Sequence, residues 1–325
     1  LEAALRLSRR HALLAAPLLF ATPSRAQGFP ERSIRLVVPF PPGGATDGTA
    51  RVLAEYLTTR YGRPVVVENR AGAGGVVGAE AVARATPDGL TWLLTSAAPV
   101  AIAPLLTRNL SFDPKRELAP VSMVMTTDHV MTVNPRSPAR DVAGFIAMAK
   151  AAPKPLTYAS SGNGTSLHLI GELFRLRAGI ALEHAPYRGS APAVTDLIAG
   201  TVDCMFDQLP ASIEQVRSGL LRPLAMTGAR RNAALPEVPL MSDTLPGFVA
   251  QSWNGVVVPA GTPPALIERI AADVAAALAD SGVQAKLARF GADYAASSPA
   301  QMAAIIEEDI ARWGPVIRDG GITAG

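Results

Sequence analysis

The chain has 325 residues, about half of them hydrophobic, with 30 basic and 27 acidic side chains and a single cysteine. That length suits about two domains with a sizeable core, and one cysteine excludes an internal disulfide framework. The first 26 residues hold four arginines and one glutamate, so the remainder carries 26 charges of each sign; this near-neutral balance gives no electrostatic case for a nucleic-acid partner.

The N-terminus reads as a targeting segment. Arg6, Arg9 and Arg10 form a basic region, an apolar run follows from Ala12 to Ala21, and Ser24-Arg25-Ala26 offers a small-x-small cleavage site before Gln27. Ser8-Arg9-Arg10 with Leu13 and Leu14 also resembles a twin-arginine signal, although Ala12 stands where that motif prefers Phe. The apolar run is about half of the ~20 residues a spanning helix needs. A signal peptide over 1–26 and a periplasmic mature protein are therefore expected, with the export route left open.

Beyond it, strands and helices alternate, the pattern of an α/β sheet. Ile34–Pro39 is a short apolar strand, and Pro41-Pro42-Gly43-Gly44 a turn. A helix follows with Ala50, Leu53, Ala54 and Leu57 on one face, Asp47 as its N-cap and Gly62 as its stop. Val65–Val67 is a strand, Gly72–Gly78 a glycine-rich loop leading into a helix to about Arg84, and Thr91–Thr95 a strand ending at Ser96. Val121–Val133 is extended and carries the chain out of a first lobe.

The second lobe repeats the logic. Helices are expected over 142–151, about 166–177 and about 191–199, with strands at Leu156–Ala159 and Val202–Phe206. Cys204 falls in the latter strand, where it reads as a small buried residue rather than a nucleophile. From about Ser252 the chain returns to the first lobe. Pro263-Pro264 opens a helix, and Ser298-Pro299-Ala300-Gln301 is a capping box starting the last helix, which reaches Arg312. The division is lobe 1 over 27–126 and 251–325, lobe 2 over 127–250.

A strand, a loop that mixes Gly with small polar residues and a helix occur together once in each lobe. A helix N-terminus presents unpaired N–H groups and a partial positive charge, and glycine lets backbone approach a ligand. Such a site suits an anion. The first-lobe candidates are Gly43, Gly44, Ala45 and Thr46; the second-lobe candidates are Ser161, Gly162, Asn163, Gly164 and Thr165.

Other chemistry finds little support. Gly72–Gly78 has the look of a dinucleotide loop, but no acidic residue stands near the end of Thr91–Thr95 to hold a ribose. His129, His168 and His184 lack metal-ligand spacing, and His168 with Glu172 makes two donors, short of a site. There is no Gly-Lys-Ser/Thr loop and no Gly-x-Ser-x-Gly elbow. Neither a cofactor nor a metal is expected, and no catalytic residue is assigned.

Four segments carry a family resemblance. They are Val38-Pro39-Phe40-Pro41-Pro42-Gly43-Gly44-Ala45-Thr46-Asp47, Glu68-Asn69-Arg70-Ala71-Gly72-Ala73-Gly74-Gly75 with Pro87-Asp88-Gly89, Tyr158 through Leu169, and Pro186-Tyr187-Arg188-Gly189-Ser190-Ala191-Pro192 with Val202 through Asp207. Ser252-Trp253-Asn254-Gly255 also fits. The chain resembles the Bug-type solute-binding receptors of tripartite tricarboxylate transporters.

That resemblance implies a type II periplasmic-binding fold, two α/β lobes joined by crossing strands with a ligand cleft between them. It implies a receptor, not an enzyme, that holds a small carboxylate and hands it to the membrane subunits of a transporter; a monomer is expected. Carried over residue by residue, it adds Phe40, Asp47 and His168 to the loop candidates, with Ser96, Tyr187, Arg188 and Asp207 as cleft neighbours. Arg188 stands where Lys is common, and Ala71 where Pro is common. Two other readings remain: an exported α/β enzyme for a carboxylated substrate, and a sensor receptor for signalling.

Overall fold

A computed structural model describes residues 28–107, 109–288 and 292–323. The expected signal segment, 1–26, lies outside the described residues.

Ten strands make one continuous array. In chain order they are β1 (Ile34–Val38), β2 (Val65–Asn69), β3 (Thr91–Ser96), β4 (Leu118–Val133), β5 (Leu156–Ser160), β6 (Leu182–Pro186), β7 (Cys204–Gln208), β8 (Arg222–Met226), β9 (Gln251–Pro259) and β10 (Asp293–Tyr294). The helices are α1 (Ala45–Tyr61), α2 (Val76–Ala83), α3 (Ala103–Leu106), α4 (Pro114–Glu117), α5 (Val142–Ala151), α6 (Ser166–Ala178), α7 (Ser190–Ala199), α8 (Leu209–Arg217), α9 (Pro264–Ala279), α10 (Ser281–Leu287) and α11 (Pro299–Asp319). A π-helical turn, Ala98–Ile102, runs into α3.

The strand order β2-β1-β3-β9-β4-β7-β5-β6 explains the two lobes. Strands β1, β2 and β3 are parallel, linked by helical crossovers, and β9 enters antiparallel between β3 and β4. The sixteen-residue β4 serves both halves. Leu118–Asp128 pairs with β9, and His129–Val133 pairs with β7 and β8. Parallel β5, β6 and β7 complete the second half. The return to the first half runs through Thr227 and Ala250, whose backbone groups bond at 2.9 Å.

Local sequence accounts for the helices that frame the cleft. In α1, Leu53 and Leu57 are buried at helical spacing beneath the β1 sheet, and Gly62 ends the helix in the left-handed conformation. In α6, Leu167, Ile170 and Phe174 face the core, and Gly179 stops it. Two expectations are corrected. Asp47 is not the N-cap of α1: Gly44 is, and Asp47 lies in the first turn with its carboxylate folded back onto the Gly43 N–H at 3.0 Å. The last helix continues past Arg312 to Asp319 with Pro315 inside it. Burial of Trp313, Val316 and Ile317 outweighs the roughly 3 kcal/mol that an interior proline costs.

Candidate functional site

Both small-residue loops open into one cleft of about 660 Å³, within the range of about 300–1,000 Å³ found for small-molecule sites. Of the residues singled out from sequence, Phe40, Gly44, Thr46, Asp47, Ser96, Ser161, Asn163, Gly164 and Thr165 line it. Gly43, Gly162, His168, Tyr187, Arg188 and Asp207 do not line it, and of Ala45 only the backbone, which opens α1, is described.

The first-lobe loop is held by Asp47. Its carboxylate accepts both Nε and Nη2 of Arg51 at 3.0 Å and Nδ2 of Asn69 at 2.9 Å, besides the Gly43 N–H. Burial works to raise its pKa, and these hydrogen bonds outweigh burial and hold it below the usual carboxylate range. Asp47 is thus a charged, already satisfied brace. Asn69 also donates to the Phe40 carbonyl at 3.1 Å, which fixes the start of the loop. Gly44 stands at the N-cap with no side chain, so the first N–H groups of α1 face the cleft unpaired by their own helix. From the crossing strand β9, Asn254 donates to the Thr46 hydroxyl at 3.1 Å.

The second-lobe loop turns on Gly162 and Gly164, at φ of 134° and 71°, values that an L side chain resists. Thr165 caps α6: its hydroxyl donates to the Gly162 carbonyl at 2.8 Å and accepts the His168 N–H at 3.4 Å. That hydroxyl closes the loop on itself, so Gly162 and Thr165 shape the site from within.

His168 lies beneath the loop. Its Nδ1 accepts the Gly164 N–H at 3.1 Å, and its ring stacks on His184 with centroids 3.8 Å apart. His184 in turn meets the Ser160 hydroxyl at 2.7 Å. Tyr158 stacks on His184 and donates to Glu172 at 2.6 Å, and Glu172 pairs with Arg175. Burial pushes both histidines down to about 4, and for His184 the neighbouring His168 adds to this. Both rings are neutral at pH 7, with the His168 proton on Nε2.

The consequence is measurable. Below the ordinary value near 6.5 the unfolded chain takes up protons that the buried rings refuse until about 4. Their stabilising share is therefore complete above pH 6.5 and lost as pH falls toward 4. Asp207 and Asp309, pushed up by burial, act with the opposite sign, so the rings themselves are the readout. Imidazole proton resonances of His168 and His184 should titrate near 4; midpoints near 6.5 would mean that the stack is solvated.

The other neighbours support rather than line. Asp207 is fully buried and accepts from the hydroxyls of Ser190 and Ser212 and from the Gln208 N–H. Burial raises its pKa despite these donors. Through it the first residue of α7, Ser190, is set at the cleft wall. Tyr187 bonds Asp196 at 2.7 Å, and Arg188 is exposed outside the cleft.

Several lining residues are not among the site candidates, although Ser252 and Asn254 fall in a segment that carries the family resemblance. Ser252 meets Ser166 and His129, each at 3.0 Å, and Gln208, Asn254 and Met125 join it from the crossing strands and β7. Ala98, Ile102, Ala103, Leu106 and Leu110 add apolar wall, with Thr107 and Asn109 between the last two. Among the described residues, no group of three metal-donor side chains comes together, and no helix is long and apolar enough to cross a membrane.

Comparison with known proteins gives these features a context. Residues 49–322 match the family described as the tripartite tricarboxylate transporter family receptor. Protein BugT of Bordetella pertussis is 41% identical over 303 residues, covering 93% of each chain. Among solved structures, Rpa4515 of R. palustris with adipate superposes with a TM-score of 0.81 at 35% identity, over 91% of this chain and 99% of that one. MatC from Rhodopseudomonas palustris with bound malate gives 0.76 at 29% identity, over 89% and 100%. The periplasmic binding protein BugD gives 0.78 at 32%, over 91% and 99%. The mixed α/β fold is that of the periplasmic binding proteins, and the chain belongs to the receptor family of the tripartite tricarboxylate transporters.

Proposed function

We propose that the chain is an exported receptor that captures a small carboxylate between its two loops and delivers it to the membrane subunits of a tripartite transporter. The observation that carries this is the convergence of two helix N-termini, one from each half, on one cleft. Their N–H groups and dipoles favour an anion. A hydrogen bond to a charged oxygen contributes about 1.5–3 kcal/mol, and micromolar affinity needs roughly 8 kcal/mol. Four or five such bonds suffice without a cationic side chain. Relatives solved with adipate and with malate support the same ligand chemistry.

In this reading Gly44, Thr46, Ser161 and Gly164 touch the ligand, and Asp47, Gly162, Thr165, His168 and Asp207 hold the touching groups in place. Lobe 1, over 27–126 and 251–325, and lobe 2, over 127–250, close about the stretch of β4 where it changes partners. The protein works as a periplasmic monomer with no cofactor, after cleavage before Gln27. Protein recovered from the periplasm should begin at Gln27 by mass spectrometry, and in calorimetry it should bind one equivalent of a carboxylic acid but not the matching amide. Equal binding of acid and amide would sink the carboxylate assignment.

A further inference from the structure

The cleft's described lining holds one charged side chain, and it is itself a carboxylate. Asp47 already draws on Arg51 and Asn69. No lysine, arginine or histidine is among the described lining residues; Arg108 lies outside the described residues. The hydroxyl and amide groups cluster where the loops meet, as the Thr46–Asn254 and Ser166–Ser252 bonds show. Another part of the wall is built mainly from Val76, Ile102, Ala103, Leu106 and Leu110, with Thr107, Asn109 and Ser111 set among and beside them. A Cβ placed on Gly164 would stand 2.8 Å from Leu106 Cδ1, so Leu106 reaches from the first half onto the second-half loop.

Resting on the carboxylate reading above, we infer that the ligand is an acid with one charged end and an apolar body several carbons long. Its carboxylate lies on the two loops and its body against Ile102, Leu106 and Leu110. One anion is matched by the loop donors. A second carboxylate along that wall would lose its water and find no ionic partner among the described lining residues, a cost that burial of a hydrocarbon does not carry. Leu106 also makes the closure selective, because its contact with the second loop continues onto an apolar body.

The test is calorimetric titration near neutral pH with octanoate, benzoate, malate and citrate, and with octanamide as the uncharged control. Octanoate or benzoate should bind at least about tenfold more tightly than malate. Leu106→Ser should weaken the better apolar acid by about tenfold or more, the effect of removing one buried leucine side chain from the contact. Malate or citrate binding more tightly than both apolar acids overturns the inference and leaves the carboxylate reading in place. Octanamide binding as well as octanoate, or no acid binding at all, overturns the carboxylate reading itself.

Discussion

A Gly44→Val variant is expected to keep its fold and lose at least about a hundredfold in carboxylate affinity. Gly44 sits at φ −79° and ψ 171°, a conformation valine adopts freely, and a Cβ there meets no protein atom within 4 Å. The structural cost is confined to a poorer N-cap, about 1 kcal/mol. Gly44 lines the cleft at the start of α1, so a bulky side chain there crowds the approach to the first N–H groups of the helix. Denying a ligand two of those hydrogen bonds removes about 3–6 kcal/mol, which is more than a hundredfold in dissociation constant. Calorimetry against the best-binding acid, with thermal unfolding of the same sample, separates the two effects. Parent-like affinity would place the anion site elsewhere.

Gly171→Ala is expected to destabilise the protein by about 2–4 kcal/mol, against the usual rule for helices. Glycine within a helix ordinarily costs about 1 kcal/mol relative to alanine, so the change would stabilise an exposed site. Here the added Cβ would come under 3.0 Å from three atoms of the Tyr158 ring, which is fully buried. The ring, not a flexible chain end, must move. Overpacking of that kind costs about 1–3 kcal/mol, and pulling Tyr158 from Glu172 adds the cost of an unpaired buried polar group. Denaturant unfolding measures the sum. The ring also stacks on His184, so the second-lobe loop should loosen too. Parent-like stability would show that the ring has room to yield.

The two loops were legible because their chemistry is local. A run such as Ser160–Thr165 between an apolar strand and a periodic helix announces its turn, cap and exposed amides within a dozen residues. Their meeting in one cleft depends on strand order, which no single segment encodes. Ser252 and Asn254 illustrate the gap. They alternate along one face of β9, and two polar residues on one face of an otherwise apolar central strand were the available signal. The Ala98–Leu106 turns were hidden by Pro99 and Pro104, which read as loop punctuation. His168 lies under the cleft rather than in its wall, and the sequence does not separate the two, because a histidine beneath a loop and one lining it have the same sequence neighbours. Strands β6 and β8 have weak sequence signals for a related reason: each is short and contains proline, and β6 lies at the edge of the sheet.

The position of β9 also sets an order of events as the chain emerges and folds. It fits between β3 and β4, yet β4 is complete at Val133 and β9 starts only at Gln251. Until it arrives, the facing edges of β3 and β4 expose backbone groups that any extended chain could pair with. Strands β5 to β8 all precede β9, so the inserted half can close first while the half that encloses it stays open. A nascent chain cut off before Gln251 would therefore carry one finished lobe and two sticky strand edges. Holding chaperones would have their most dangerous interval there, and premature termination would yield aggregates rather than a smaller working receptor.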